Sequence, residues 1–194
     1  RGHQHLTQQL RRQGFDALVA VMSPAVTQRG EFALLPTAPR AEAALRSGID
    51  LVIELPAPYA LRSAEGFGEA AVSLLAAAGA VDALGFGSES GDARRLHAAA
   101  TALHSEEFKA QLRLLLGEGA PYPIARQRAL AAIDPALAGV LASPNDILAA
   151  EYCAAIVKHQ YSLQKEAILR RGAGHDTLSL QGDPVAAEKK KKKK

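Results

Sequence analysis

The stretch Val81-Asp82-Ala83-Leu84-Gly85-Phe86-Gly87-Ser88-Glu89-Ser90-Gly91-Asp92 decides how the chain is read. It begins as a short apolar run of strand type, becomes a loop of glycine, serine and acid, and leads into a helical pattern over 93–103. In open α/β sheets the loops at the carboxyl ends of parallel strands form the ligand crevice. Glycines there let a backbone approach a flat ligand, and Ser90 or Asp92 is placed to cap the following helix. An ordinary strand-to-helix turn accounts for the same spacing, so any functional reading has to come from the rest of the chain.

Moving back from this stretch, an Ala-rich helix opens at Ser63-Ala64 and carries Phe67, Ala71, Leu74 and Leu75 inward before ending at Gly79. Before it, Asp50-Leu51-Val52-Ile53-Glu54-Leu55-Pro56 is the clearest strand, terminated by Pro56 and Pro58. A helix over 40–46 stops at Ser47-Gly48. Earlier still, 16–22 reads as a buried parallel strand broken by Ser23-Pro24, with a polar loop Val26-Thr27-Gln28-Arg29-Gly30-Glu31 at its carboxyl end. Alternation of strand and helix is the pattern of a parallel sheet with right-handed crossovers. The chain itself enters at once on a helical pattern with Leu6, Leu10 and Phe15 on one side, leaving no room for a strand ahead of it.

Moving forward, the periodicity is helical over 106–116, 123–133 and 145–158. Ser143-Pro144-Asn145-Asp146 is a helix-start signal, and Asn145 is expected to cap the helix that begins at Ile147. The weakly alternating run 164–171 is expected to be an edge strand, and after Gly172 the composition turns loop-like.

Composition sets the class. With 194 residues, 48% apolar and 5% aromatic, the chain suits one domain with a core of Leu, Ala, Val and Ile. The formal charge of +3 comes from Lys189 to Lys194; without those six the balance is 17 basic against 20 acidic, or −3. Such a run is expected to be a solvated or appended tail, the alternative being an arm that binds polyanions by counterion release. Cys153 alone excludes an internal disulfide and a multi-cysteine metal cluster, and its apolar surroundings suit a core position. There is no secretory pattern and no apolar span of membrane length, so a soluble cytoplasmic protein is expected.

Several short motifs then combine. Gly2-His3 matches the second half of a His-x-Gly-His phosphate-handling motif. In order behind it come Val19-Ala20-Val21-Met22-Ser23, Gln28-Arg29-Gly30-Glu31, Arg40-Ala41-Glu42, Asp50 to Pro56 and Phe86-Gly87-Ser88-Glu89-Ser90-Gly91-Asp92. Ser143-Pro144-Asn145-Asp146-Ile147-Leu148 and Ile168-Leu169-Arg170-Arg171-Gly172-Ala173-Gly174 complete the set. Over 1–176 this combination resembles the bacterial tRNA(Met) cytidine acetate ligase family, within the HIGH-type nucleotidyltransferases.

The resemblance implies an α/β fold with a Rossmann-like parallel sheet, followed by a mainly helical segment, with the first strand missing before Arg1. It implies a nucleotidyltransferase core over 1–104, a helical extension completing an ATP site over 105–178, and a disordered tail over 179–194. The implied activity is an ATP-dependent ligase that forms acetyl-adenylate from acetate and acetylates N4 of the wobble cytidine of elongator tRNA(Met). By position, His3 is similar to the catalytic second histidine of the motif and, with Gly2, to ATP-binding residues; Gly87 is similar to a backbone ATP contact, and Asn145 and Arg170 to ATP-contacting side chains. Magnesium is expected with ATP, with no carboxylate assigned to it. ATP, acetate and tRNA(Met) are the expected partners; no membrane is expected, and the oligomeric state is left open.

The chemistry agrees with these roles. Attack on an α-phosphate calls for donors aimed at oxygens that gain charge. A histidine at a helix amino end adds its donor to free backbone N–H groups, and Arg170 can grip phosphate in bidentate fashion. Taken alone, His3 reads as a solvent-exposed histidine, Arg170 as a surface arginine and Asn145 as a cap. Departures from the family are also plain: Pro24-Ala25-Val26 stands where Gly-Asn-Phe is usual, and Pro36-Thr37-Ala38 where Asp-Lys-Trp is usual. The family's carboxyl-terminal helical region is absent from this sequence. Two other readings follow: a non-catalytic nucleotide- or tRNA-binding relative, and an adenylyltransferase for another small acid.

Overall fold

The computed structural model describes residues 2–27 and 30–170. The expected tail over 179–194, Arg1 and the Gln28-Arg29 pair lie outside the described residues. The elements run α1 (Gly2–Arg12), β1 (Val19–Met22), α2 (Thr37–Arg46), β2 (Leu51–Glu54), α3 (Ala57–Ala60), α4 (Ala64–Ala77), β3 (Ala83–Ser88) and α5 (Ala93–His104). They continue as α6 (Glu106–Gly117), α7 (Tyr122–Ile133), two short 3-10 turns (Pro135–Leu137 and Val140–Ala142), α8 (Pro144–His159) and β4 (Gln164–Leu169).

Local chemistry fixes most helix starts. Ser63 accepts the Gly66 N–H, Asp92 accepts both the Arg94 and Arg95 N–H groups, and Ser105 accepts the Phe108 N–H. The expected helix over 40–46 begins earlier, at Thr37, because Pro36 occupies the cap position and Pro39 falls in the first turn, where a missing N–H costs nothing. Pro56 and Pro58 do end β2, but they also open the one-turn α3, which the reading of the sequence passed over.

The strands are all parallel. β1 pairs β2 with Val19 opposite Leu51 and Met22 opposite Glu54; β3 pairs β4 with Ala83 opposite Gln164 and Ser88 opposite Leu169. Among the described residues these form two separate two-stranded sheets, so the expected continuous sheet is in two halves. Both halves meet one core: Val19 and Val21 pack against the cluster built from Val72, Leu75, Leu84, Phe86, Leu96, Leu103, Phe108, Leu130, Cys153 and Ile156. Cys153 is fully buried there, as expected, and burial pushes its thiol up to about 12.

One difference bears on function. Gly87-Ser88, within the stretch expected to be a loop of glycine, serine and acid, continues the strand to its end. Leu84, Phe86 and Ser88 turn inward, while Gly85 and Gly87 face the other way. A Cβ at Gly85 would lie 2.6 Å from Leu10 Cδ1, and one at Gly87 would lie 3.4 Å from Arg170 Cγ. The glycines are strand residues that admit α1 and an arginine stem, not hinges of a loop. No single helix among the described residues is long and apolar enough to cross a membrane.

Candidate functional site

At the carboxyl end of β3 two carboxylates point in opposite directions and clamp the strand end to the amino end of α8. Asp146, only 4% exposed, reaches toward β3: its Oδ1 accepts the Glu89 N–H at 2.9 Å and its Oδ2 the Ser90 N–H at 3.1 Å. The buried Ser88 hydroxyl also donates to Asp146, and its oxygen accepts the Gly91 N–H at 2.9 Å. Glu89 reaches the other way, its Oε2 accepting the Asp146 N–H at 2.8 Å.

Asn145 therefore does not cap α8, correcting the expectation. The cap position belongs to Ser143, which makes no side-chain cap bond; Asn145 is the second helical residue, and Glu89 supplies the acceptor from a different element. The freed Asn145 side chain is held from both ends. Its Nδ2 donates to Glu89 Oε1 at 2.5 Å, and its Oδ1 accepts from Arg170 Nη1 at 2.7 Å.

Arg170 follows β4 directly. Its backbone N–H donates to the Ser88 carbonyl at 2.9 Å, continuing the parallel ladder by one residue. Its stem crosses the space over Gly87, and its head remains exposed. A chain of contacts thus joins β3, α8 and β4: Glu89 to Asn145 to Arg170.

Three of the five residues singled out from sequence, Gly87, Asn145 and Arg170, come together at one sheet end. Gly2 and His3 occupy the first turn of α1 and are exposed; among the described residues no hydrogen bond joins them to the other three. The His3 carbonyl accepts the Thr7 hydroxyl at 3.0 Å, a bond within the helix. α1 itself packs along β3, with Leu10 against Gly85.

Glu89, Asp146 and Ser88 received no role in the reading of the sequence. Both acids stand in motifs quoted there, but they meet across 57 positions, and each motif read alone looks like a complete local cap signal. A cavity of about 430 Å3 lies elsewhere, lined by Leu55, Pro56, Tyr59, Arg62, Glu69 and Ser73. The cluster of Gly87, Asn145 and Arg170 does not line this cavity.

Parallel strand ends that carry an exposed arginine, a glycine that admits close approach and a helix amino terminus are the arrangement at which α/β proteins bind phosphate-bearing ligands. The chain belongs to the HIGH nucleotidyl transferase family, whose model matches residues 1–189. Within it, the chain is similar to proteins named tRNA(Met) cytidine acetate ligase. It is 39% identical over 187 residues to that of Caldanaerobacter subterraneus subsp. tengcongensis, covering 94% of this chain and 47% of the relative. It is 41% identical over 192 residues to that of Syntrophotalea carbinolica, covering 96% of this chain and 46% of the relative.

Among solved structures, Thermotoga maritima TmcAL in its apo form superposes with a TM-score of 0.86 at 34% identity, over 100% of this chain and 49% of that one. The same protein bound with alpha-thio ATP gives 0.84 at 33%, over 100% and 47%. The chain spans about half the length of the curated relatives it matches.

Proposed function

We propose that this chain carries the ATP-binding half of a ligase that activates acetate and transfers it to elongator tRNA(Met). The observation that carries the reading is the tie between Arg170 and Asn145 above Gly87, at the strand ends of a chain similar to a protein solved with alpha-thio ATP. In this reading 1–104 is the nucleotidyltransferase core, and 105–178 completes the ATP site by supplying Asn145 and Arg170.

Each group has a physical task. Gly87 lets the strand backbone approach the nucleotide. The exposed head of Arg170 grips phosphate oxygens, and Asn145 sets its direction while offering a remaining amide N–H and a carbonyl lone pair. In this reading Gly2 and His3 present the amino end of α1, whose first N–H groups have no partner within the helix, to the nucleotide. With Leu10 beside Gly85, seven residues of helix at about 1.5 Å each cover the same distance as three strand residues at about 3.3 Å. In this reading α1 runs antiparallel to β3 from that contact, which would bring His3 level with Ser88.

In the first step an acetate oxygen attacks the α-phosphorus, the α–β phosphoanhydride bond breaks, and pyrophosphate leaves with its electron pair. His3 and Arg170 donate hydrogen bonds to oxygens that gain charge. In the second, N4 of the wobble cytidine attacks the acetyl carbonyl, AMP leaves, and the amine loses a proton. Among the described residues no group of three or more His, Cys, Asp or Glu is placed to hold a metal by itself, and Glu89 and Asp146 already accept N–H donors. Any magnesium would arrive on the phosphates, and no step is assigned to it.

The test is exchange of labelled pyrophosphate into ATP, run with and without acetate and with tRNA(Met) added, on this chain and on the same chain joined to the remaining half of a full-length relative. Acetate-dependent exchange supports the reading. Exchange indifferent to acetate refutes the substrate, and ATP binding without exchange in the joined protein favours a non-catalytic nucleotide-binding relative. That second reading draws on Pro24 and Pro36, which stand where the family has Gly-Asn-Phe and Asp-Lys-Trp and serve the fold here: the Pro24 carbonyl accepts Arg40 Nη1 at 2.8 Å, and Pro36 opens α2.

A further inference from the structure

We infer that Glu89 is a positioning residue for the nucleotide site: it fixes the orientation of the Asn145 amide and, through it, the direction in which Arg170 points. The inference rests on the reading of Arg170 as an ATP contact. It draws on a feature of the geometry that does not depend on nucleotide, namely that the Asn145 amide can satisfy both neighbours in one orientation only.

An amide side chain has a donor end and an acceptor end that are nearly identical in shape, so only its partners choose between the two. Arg170 offers donors alone and therefore requires Oδ1; an ionised Glu89 offers acceptors alone and therefore requires Nδ2. The two requirements agree, and each removes the flipped state that the other would resist. Glu89 is itself immobilised, because Oε2 accepts the Asp146 N–H at 2.8 Å and Oε1 also lies 3.4 Å from the Asn145 N–H. The backbone N–H of Glu89 is in turn held by Asp146 at 2.9 Å. Orientation is thus passed from the rigid start of α8 to an exposed guanidinium, with no link longer than one side chain.

A glutamine at this position cannot do the same. It has one acceptor oxygen where Glu89 uses two. If that oxygen keeps the Asp146 N–H, the new NH2 faces Asn145, the Asn145 amide turns over, and its Nδ2 confronts the donors of Arg170. If the oxygen keeps Asn145 instead, the NH2 faces a helix N–H. Either outcome releases Arg170 or weakens the start of α8, and the two are separable by measurement.

The experiment measures ATP affinity by calorimetry on the 194-residue chain, with GTP as the control for charge-driven binding to the lysine run, for wild type, Glu89→Gln, Arg170→Ala and the double variant. Urea midpoints without nucleotide are recorded in parallel. Expected are losses of roughly tenfold in ATP affinity for each single variant, the size of one displaced charge-assisted bond, and no further loss in the double variant over Arg170→Ala. Glu89→Asp, which keeps the charge but shortens the reach, is read the same way should the glutamine variant not fold. A Glu89→Gln protein that loses stability but keeps its ATP affinity, or whose loss adds fully to that of Arg170→Ala, overturns the inference. If Arg170→Ala itself leaves ATP affinity unchanged while ATP still binds, the role given to Arg170 in the nucleotide site fails, and this inference with it.

Discussion

Removing Arg126 should destabilise the protein more at neutral pH than in acid. Arg126 on α7 faces Glu151 on α8, and the two form an ion pair whose acidic side chain is 2% exposed. The contact is Coulombic more than directional, since Glu151 Oε1 has no aligned hydrogen-bond donor among the described residues. Burial raises the Glu151 carboxyl above its ordinary value, Arg126 opposes that rise, Glu65 adds to it and His104 subtracts. Arg126→Met keeps the stem volume but leaves the buried Glu151 carboxylate without its ion-pair partner. Orphaning one partner of a buried pair costs about 3–5 kcal/mol, which for a chain of this size lowers Tm by roughly 6–20 °C.

The pH dependence has a definite sign. A carboxyl whose folded-state value is raised contributes stability that is present below its unfolded value and lost as pH rises through the raised one. Without Arg126 the rise is larger, so the deficit against wild type opens as pH climbs above wild type's own raised value and closes in acid, where both proteins hold the carboxyl protonated. Between pH 5 and pH 7 it should widen, at no more than the roughly 1.4 kcal/mol per pH unit that one proton allows. The assay is urea unfolding of both proteins at the two pH values. Arg126→Met with Glu151→Leu should recover much of the loss, because an apolar pair removes the orphaned charge. A deficit below about 1 kcal/mol, or one equal at both pH values, would refute the reasoning.

Other outcomes are equally specific. Gly85→Val should destabilise by about 1–3 kcal/mol through contact with Leu10, and Leu10→Ala in the same chain should relieve part of that, as read by urea midpoints. Asp92→Ala should lower stability by about 0.5–2 kcal/mol, since one carboxylate caps two N–H groups of α5. Asp50 accepts the Leu18 N–H and then Arg11, which hold its carboxyl below the ordinary value; its contribution is present above pH 4 or so and lost as pH falls through the lowered value. Asp50→Asn should therefore flatten the acid side of the stability curve, measured by thermal unfolding from pH 6 to pH 3. Cys153 should react with a thiol reagent only at the rate of unfolding, because burial raises its thiol and shields it.

How much of this was legible in the sequence depends on the range over which each element is decided. Strands β1 and β2 and helices α4 to α8 were legible because apolar spacing and caps such as Ser63 and Asp92 act within one turn. The end of β3 was not. Gly87 and Ser88 look like loop residues until β4 supplies a ladder from about 80 positions later, and no local propensity encodes that pairing.

The candidate site divides along the same line. Residue types were legible, since Gly87, Asn145 and Arg170 sit in motifs whose chemistry suits phosphate. What joins them was not, because Asn145 reads as a cap and Glu89 as a polar loop residue while each is considered alone. The exchange is economical in physical terms: a helix start needs acceptors, a strand end needs its N–H groups satisfied, and Glu89 and Asp146 each serve the other's element. An acceptor borrowed from 57 positions away leaves the local asparagine without capping work, and a polar side chain excused from its local duty is available to a ligand. A cap signal whose cap is supplied from elsewhere is therefore a place to look for function, and here it leads from Asn145 directly to Arg170.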